Sequence, residues 1–266
     1  MAKVNSPFPF LGTLGEVSVY KNRLTDKLIA RMKGGGTKEK ILTAPSCQGI
    51  REQNEEFKMC GQANRALFKA VHYTKHLTDF VMAGGFTTLI KAVQCEDPVH
   101  QKGERSIVFS ENRQFLEGFH ITRQNSIDSV LSNPITATLN RSDSKATVQL
   151  PDVVPGVNFR HTWPYTIFRF IVCLGAIDDI LFKDELKRYS DTSERWHSSV
   201  NGFTTEWMTS DIKNPGRTID IGLKNNTPLT DTASMIVSVG IEFGNTKFNG
   251  IQPVKHVGCA KIVAVG

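Results

Sequence analysis

The sequence is poor in the features that mark disulfide-bonded and metal-binding proteins. Its five cysteines are an odd number, and no two lie closer than thirteen residues, so no Cys-x-x-Cys pair exists. The cysteines are Cys47, Cys60, Cys95, Cys173 and Cys259. Most stand among apolar neighbours, and we therefore expect buried free thiols in a reducing compartment.

Long apolar runs are also missing. Nowhere do eighteen consecutive apolar residues occur, so we predict no membrane span. Residues 1–10 lack the apolar region of a signal peptide. We therefore expect a cytoplasmic protein without a signal peptide or a transmembrane segment.

The best-known catalytic motifs are absent as well. No Gly-x-Ser-x-Gly nucleophile elbow occurs, and Gly34–Lys38 lacks the spacing of a phosphate-binding loop. His72 and His76 could share a helix face as metal ligands do, with Asp79 nearby, but no zincin-type glutamate follows the first histidine. An amphipathic helix surface is the simpler interpretation of this spacing.

Two further groups of residues have the types found in catalytic or cation-binding sites, but their arrangement in space cannot be read from the sequence. His197 stands with serines and near acidic residues, but a catalytic triad is an arrangement in space that sequence proximity does not establish. A group of acidic residues could seat a divalent cation or meet a basic arm of another copy. These residues are Asp178, Asp179, Asp184 and Glu185. We predict no catalytic residue, no metal site and no cofactor.

The charge of the chain is unevenly distributed. The net charge is +6, yet residues 1–75 contain thirteen basic and six acidic residues. Such a local positive field attracts nucleic acid, an anionic membrane or an acidic protein surface, whereas edge lysines also prevent aggregation. The predicted assembly or anion contacts are Lys21, Arg23, Lys27, Arg31 and Lys33.

The N-terminal residues have the pattern of a detachable β arm. Residues 11–33 alternate well enough for a β-hairpin with one apolar face. That face would contain Val17, Val19, Leu28, Ala30 and Met32. The triple glycine Gly34, Gly35 and Gly36 follows directly and is predicted to be a flexible hinge.

Residues 45–97 are predicted to be a helical segment. Apolar positions recur at three- and four-residue spacing, Thr43 is a candidate N-cap, and Gly84-Gly85 is expected to break the helix. The predicted buried face includes Ile50, Phe57, Cys60, Asn64, Leu67 and Val71.

Beyond residue 130 the pattern becomes that of β-strands. Seven candidate strands alternate with turn residues, one turn being placed at Gly244-Asn245, and residues 175–202 are predicted to be a loop with a short helix. The absence of strand–helix alternation disfavours a Rossmann fold or a TIM barrel. We predict an α+β, mainly β fold with an antiparallel sandwich or jelly-roll-like body. Its segments are an arm and hinge over 1–44, a helical segment over 45–97 and a β-rich body over 98–266.

Several stretches resemble a family of bacterial proteins of the Bacteroidota type whose function is unknown. The stretches are Leu11–Lys21, Lys33–Lys40, Arg51–Phe57, Ser238–Gly244 and Val254–Ile262. The resemblance implies a bacterial protein that is not secreted, and it implies no activity or cofactor.

These patterns favour a structural protein over an enzyme. The leading hypothesis is a self-assembling subunit of a filament, tube or shell, in which the N-terminal arm adds strands to a neighbouring copy. The alternative is a nucleic-acid-binding or packaging protein that uses the same basic arm. An enzyme of unknown class is the third hypothesis. The expected partners are copies of this chain, with nucleic acid as the alternative and no membrane.

Overall fold

The computed structural model describes residues 2–3, 10–22, 26–32, 34–190, 195–224, 228–248 and 250–266 (for 2–3 the backbone alone). It divides the chain into two compact units, Met1–Arg51 and Glu52–Gly266. We call them the N-terminal unit and the main unit. The boundary falls within a long helix, and the remaining helical residues group with the β-rich body.

The N-terminal unit contains a four-stranded antiparallel sheet. Its strands are β1 (Ala2–Lys3), β2 (Gly12–Leu14), β3 (Val17–Lys21) and β4 (Leu28–Met32), in the order β1-β4-β3-β2. Val17 pairs with Met32, Val19 with Ala30 and Lys21 with Leu28. Directly paired residues project from the same face, so the predicted apolar face is confirmed. The predicted two-stranded hairpin is instead part of a larger sheet.

A short helix follows the sheet in the N-terminal unit. Helix α1 (Lys38–Thr43) is capped by the Thr37 hydroxyl, which accepts a hydrogen bond from Lys40 N. The prediction of Thr43 as an N-cap is therefore wrong, because this residue ends α1. Pro45 begins the 3₁₀ turn Pro45–Cys47, where its missing N–H costs nothing.

Two long helices follow, and the first of them crosses the boundary into the main unit. Helix α2 spans Gln48–Ala70 and α3 spans Met82–Cys95, with the 3₁₀ turn Lys75–Leu77 between them. The predicted break at Gly84-Gly85 is wrong, since both glycines lie inside α3. Gly85 instead permits close packing, because a Cβ there would lie 3.2 Å from the Phe119 ring. Of the predicted buried face, four positions are buried, whereas Ile50 and Phe57 are exposed.

The main sheet is antiparallel and is built around three long strands. These are β7 (Ile167–Asp178), β13 (Ala233–Lys247) and β14 (Gly250–Val265). The short strands β10 (Asn201–Thr204) and β11 (Met208–Thr209) pair with the outer edge of β7. The sheet order is therefore β10-β7-β13-β14, with β13 in an interior position.

A second sheet of three strands faces the main sheet. It contains β5 (Thr136–Asn140), β6 (Lys145–Leu150) and β12 (Arg217–Gly222), after the short helix α4 (Ile127–Val130). Even-numbered residues of β7, such as Phe168 and Phe170, share a buried cluster with Val148 of β6. Odd-numbered Ile177 joins a second cluster with Leu67 of α2. The helices, main sheet and three-stranded sheet are therefore three layers, and the predicted α+β, mainly β class is confirmed.

Two predictions within the β-rich body are wrong. The predicted turn at Gly244-Asn245 lies inside β13, which runs on to Lys247. A side chain at Gly244 would meet Trp207 and Ile251 at 2.7 Å, so the glycine serves close packing there. In place of the predicted loop with a helix at 175–202, β7 continues to Asp178 and the hairpin β8 (Phe182–Lys183) and β9 (Arg188–Tyr189) follows.

The cysteines are all free in the structure. Four are buried, as expected, and burial raises the pKa of the Cys60 and Cys173 thiols to about 11. Cys95, at the end of α3, is exposed, and the expectation is wrong for this residue. No helix in the described part of the chain combines the length and apolar character that a membrane span requires.

Candidate functional site

The two predicted basic contacts that lie in described strands, Lys21 and Arg31, are on opposite faces of the N-terminal sheet. Lys21 forms an ion pair of 2.9 Å with Asp26, and the pairing register places it on the apolar face. Arg31 pairs with Ser18 on the opposite face, where its guanidinium lies 5.4 Å from the centre of the Tyr20 ring. Lys27 is exposed before β4. Arg23 and Lys33 lie outside the described residues.

The triple glycine lies between β4 and α1. Gly35 has a φ of +100°, a conformation that strongly favours glycine, and a Cβ at Gly34 or Gly35 would meet no atom within 4 Å. A Cβ at Gly36 would instead contact the Ile41 and Lys40 side chains at 3.6–3.9 Å. The first two glycines are thus surrounded by open space. A hinge role for them stays a prediction.

An apolar row crosses the N-terminal sheet at one end. Leu14 of β2 pairs with Val17 of β3, which in turn pairs with Met32 of β4, so the three side chains share one face. The exposed fractions are 70% for Leu14 and 68% for Met32. Leu11, just before β2, is 65% exposed. The described apolar face therefore remains largely in water at this end.

The two histidines on the predicted helix do not converge. His76 Nε2 lies 2.6 Å from Glu242 Oε1 of β13, whereas His72 makes an edge contact with Tyr73. Arg169 of β7 donates to the other oxygen of Glu242 at 2.6 Å. Burial raises the pKa of Glu242, but the hydrogen bonds from His76 and Arg169 outweigh it and lower the pKa. This buried carboxylate connects the helical layer to the sheet.

Residue Asp79 is used structurally too. Its carboxylate oxygens accept hydrogen bonds from the backbone N–H groups of Arg123 and Gln124, each at 2.8 Å. It therefore fixes the loop before α4 and does not form a metal site with His72 and His76.

The acidic group and the segment near His197 are also dispersed. Asp179 accepts two hydrogen bonds from Ser110, and Asp178 accepts one from Thr230. Asp184 instead lies 3.2 Å from Lys187 on the surface. The Ser199 hydroxyl donates to the Trp196 carbonyl. The acidic residues near His197 in the sequence, Asp191 and Glu194, lie outside the described residues. Among the described residues, no group of three or more histidine, cysteine or carboxylate side chains could hold a metal ion.

A polar cleft of about 580 Å³ lies between α2 and the β8–β9 hairpin. Two of its lysines are paired, Lys58 with Glu55 at 3.4 Å and Lys187 with Glu104 at 3.9 Å. Arg65 and Arg188 line the same cleft and have no partner in the described part of the chain. Both arginines are exposed, so the cleft has the character of a solvated surface.

Several strongly exposed apolar side chains were not predicted to be exposed from the sequence. Among them are Leu14 in β2, Phe57 in α2 and Phe248 between β13 and β14. Periodicity predicted that Phe57 lies on a buried helix face. The turn was predicted at Gly244-Asn245, so Phe248 was not expected at the end of a hairpin. The Asn-Gly pair at 249–250, a strong hairpin signal, would have marked the correct turn.

Compared with protein-family models, with curated proteins and with solved structures, the chain matches none of them. Its function must therefore be inferred from its own geometry. The feature that most needs an explanation is exposed apolar surface, because the described residues that carry catalytic chemistry are dispersed or engaged in structural contacts.

Proposed function

We propose that this chain is a cytoplasmic structural subunit that assembles with copies of itself. The observation that carries the proposal is the exposed apolar row of the N-terminal sheet. A sheet with one apolar face must bury that face against another element. Val19 on this face is buried, but Leu14 and Met32 remain about two-thirds exposed, so the described chain leaves this requirement unmet at their end of the sheet.

The edge of the same sheet supports self-association. Strand β2 is the last strand in the order β1-β4-β3-β2, and it is three residues long. An edge strand offers unpaired backbone N–H and C=O groups to another strand. A neighbouring copy could thus add a strand to β2 and at the same time cover Leu14.

The basic residues favour this proposal over the nucleic-acid alternative. Phosphate binding needs cations that converge on one surface. Of the described predicted contacts, Lys21 and Arg31 lie on opposite faces, and Lys21 is already paired with Asp26. An enzyme is less well supported, because no group of histidine, cysteine and carboxylate side chains among the described residues could hold a metal ion.

A matched pair of variants tests the proposal. Leu14 and Thr13 are neighbours in β2, both exposed, and their side chains point to opposite faces. We expect Leu14→Lys to shift assembly to at least tenfold higher concentration, because the apolar row would then carry a charge. Thr13→Lys adds the same charge on the other face and should assemble like the unmodified chain.

Light scattering during size-exclusion chromatography, with negative-stain microscopy, measures the assembly. Equal assembly of both lysine variants would contradict a role for the apolar row. A monomer at every accessible concentration of the unmodified chain would overturn self-assembly itself. Assemblies that dissolve on nuclease treatment would promote the nucleic-acid alternative.

A further inference from the structure

The last two strands extend beyond the main sheet. Strand β13 pairs with β7 only as far as Gly244, opposite Ile167, whereas β13 and β14 stay paired to Lys247 and Gly250. We call Asn245–Pro253 the hairpin tip. A two-stranded ribbon is marginally stable in water without another surface to pack on.

A fully exposed aromatic side chain occupies the end of this tip. Phe248 has a relative exposure of 106%, and Ile251 on the return strand is 37% exposed. Such an apolar protrusion at the end of a projecting ribbon is typical of an interaction site. The tip therefore needs a concave apolar partner.

A groove of that kind lies between α2 and α3. It has a volume of about 520 Å³ and a mainly apolar lining, with Phe57 and Ala92 among its walls. Phe57 is 62% exposed, and Cys95 at the end of α3 is also exposed. The volume is that of pockets that accept molecules larger than one aromatic side chain.

The tip and the groove lie at opposite ends of the main unit. Ala66 of α2 lies beside Ile177, and Ala70 lies against Gly175. Further along the chain, His76 reaches Glu242, so the chain from α2 onward runs towards the tip. Phe57 precedes all of these residues and therefore lies at the far end.

Distances along the elements exclude a contact within one copy. Helix α2 covers about 20 Å between Phe57 and Ala70. Strand β13 covers about 36 Å between Ile236, which pairs with Gly175, and Lys247 at the tip. The groove that a tip enters must therefore belong to another molecule.

Charge makes a second copy a suitable partner. The tip contains Lys247, and residues 245–257 include no acidic residue. The groove ends at Cys95, which is followed by the exposed Glu96, a carboxylate with no partner in the described part of the chain. Lys91 in the groove and Arg105, whose guanidinium lies 3.4 Å from Cys95 Sγ, are both paired with the buried Glu56. The exposed Glu96 beside the groove is thus an acidic group that the Lys247 side chain of another copy's tip could meet.

We propose that the hairpin tip of one copy inserts Phe248 into the α2–α3 groove of the next copy. This inference rests on the proposed self-assembly and specifies one of its contacts. Each copy has one tip and one groove, so the contact is head-to-tail and propagates into a ring or a helical polymer.

The exposed Cys95 makes the contact testable by disulfide trapping. The variant Phe248→Cys places a thiol at the tip, and copper phenanthroline, as oxidant, removes two electrons and two protons as the bond to Cys95 forms. We expect a ladder of dimers, trimers and larger species on a non-reducing gel. The ladder should disappear when Cys95→Ser is added. The control Ile212→Cys, at a 61% exposed position, should give no ladder.

The possible outcomes separate this contact from assembly in general. A single dimer band that persists with Cys95→Ser would show tip-to-tip pairing and overturn the inference. Absence of crosslinks, while the unmodified chain assembles by light scattering, would overturn the inference and leave the proposed function intact. If the unmodified chain is always monomeric, both fail. In the same scattering assay, Phe248→Ser should raise the concentration needed for assembly at least tenfold, and Ile212→Ser should not.

Discussion

At the scale of single residues, buried carboxylates connect parts of the main unit that are distant in sequence. Glu56 of α2 accepts hydrogen bonds from Arg105 Nε at 2.8 Å and Gly103 N at 3.0 Å. Asp179 binds Ser110, and Glu242 binds His76. Hydrogen bonds outweigh burial and lower the pKa of Glu56 and Glu242, whereas burial raises the pKa of Asp179 in spite of its bonds from Ser110. The charged carboxylates of Glu56 and Glu242 therefore stabilise the fold.

Asp97 gives a pH-dependent prediction at this scale. Burial raises its pKa, but hydrogen bonds from the backbone of Val99, Ser106 and His100, and from the His100 ring, outweigh burial and lower the pKa to about 2. The ordinary value is 3.8, so the stabilisation is complete above about pH 4 and is lost as the pH falls towards 2.

We expect Asp97→Asn to reduce the free energy of unfolding by about 1–3 kcal/mol at pH 7. The difference from the unmodified chain should shrink between pH 4 and pH 2, as measured by urea unfolding at several pH values. Asp143→Asn, which changes an exposed carboxylate, serves as the control and should change the free energy by less than about 0.5 kcal/mol. A constant difference for Asp97→Asn across this pH range would contradict the prediction.

At the scale of elements, local patterns were sufficient for many strands and insufficient for the breaks between elements. Alternation predicts a strand over Arg217–Leu223, and β12 ends one residue earlier, at Gly222; the predicted apolar face of β3 and β4 is also correct. The break after α2 could not be read from the sequence, because its cause is packing between distant segments. Glycines on the sheet at 175, 202 and 240 admit Ala70, Tyr73 and Leu77. The exposed candidates Leu14 and Phe248 were missed because apolar residues in a strand pattern are usually buried.

Two glycine-to-alanine changes should have opposite effects for this reason. A Cβ at Gly175 would lie 2.4 Å from the backbone oxygen of Ala70, so we expect Gly175→Ala to lower the free energy of unfolding by about 2–3 kcal/mol. Gly61 lies exposed in α2, and a Cβ there meets nothing within 4 Å. Gly61→Ala should therefore raise the free energy by about 0.5–1 kcal/mol. Urea unfolding measures both, and an equal sign for the two variants would contradict this account of the α2–sheet contact.

At the scale of the whole molecule, the proposed assembly depends more on apolar contacts than on charge. The proposed contacts depend on Leu14, Met32 and Phe248. Exposed ion pairs each contribute little to such contacts, about 0–1 kcal/mol. A protein with two distinct apolar surfaces can form contacts of two kinds, through the N-terminal sheet and through the hairpin tip. Such a protein would polymerise without nucleic acid.

Salt dependence tests this balance. Raising salt from about 0.1 M to about 1 M shortens the screening length from about 10 Å to about 3 Å. We expect the concentration at half-assembly to change less than about threefold, measured by light scattering. A nucleic-acid binder that neutralises about five phosphates would lose more than about 10⁴-fold in affinity over the same range. A loss of assembly of that size would favour the nucleic-acid alternative.

The interior position of β13 has a consequence for synthesis on the ribosome. Strand β7 ends at Asp178, but β13, which pairs with it, begins only at Ala233. Strand β13 pairs in turn with β14, which ends at Val265. Translation from residue 51 to residue 265 takes about 10–40 s at about 5–20 residues per second. During that interval the N-terminal sheet has emerged while the main sheet cannot close. We therefore expect the apolar face that contains Leu14 and Met32 to be the first folded surface that neighbouring nascent chains on a polysome present to one another.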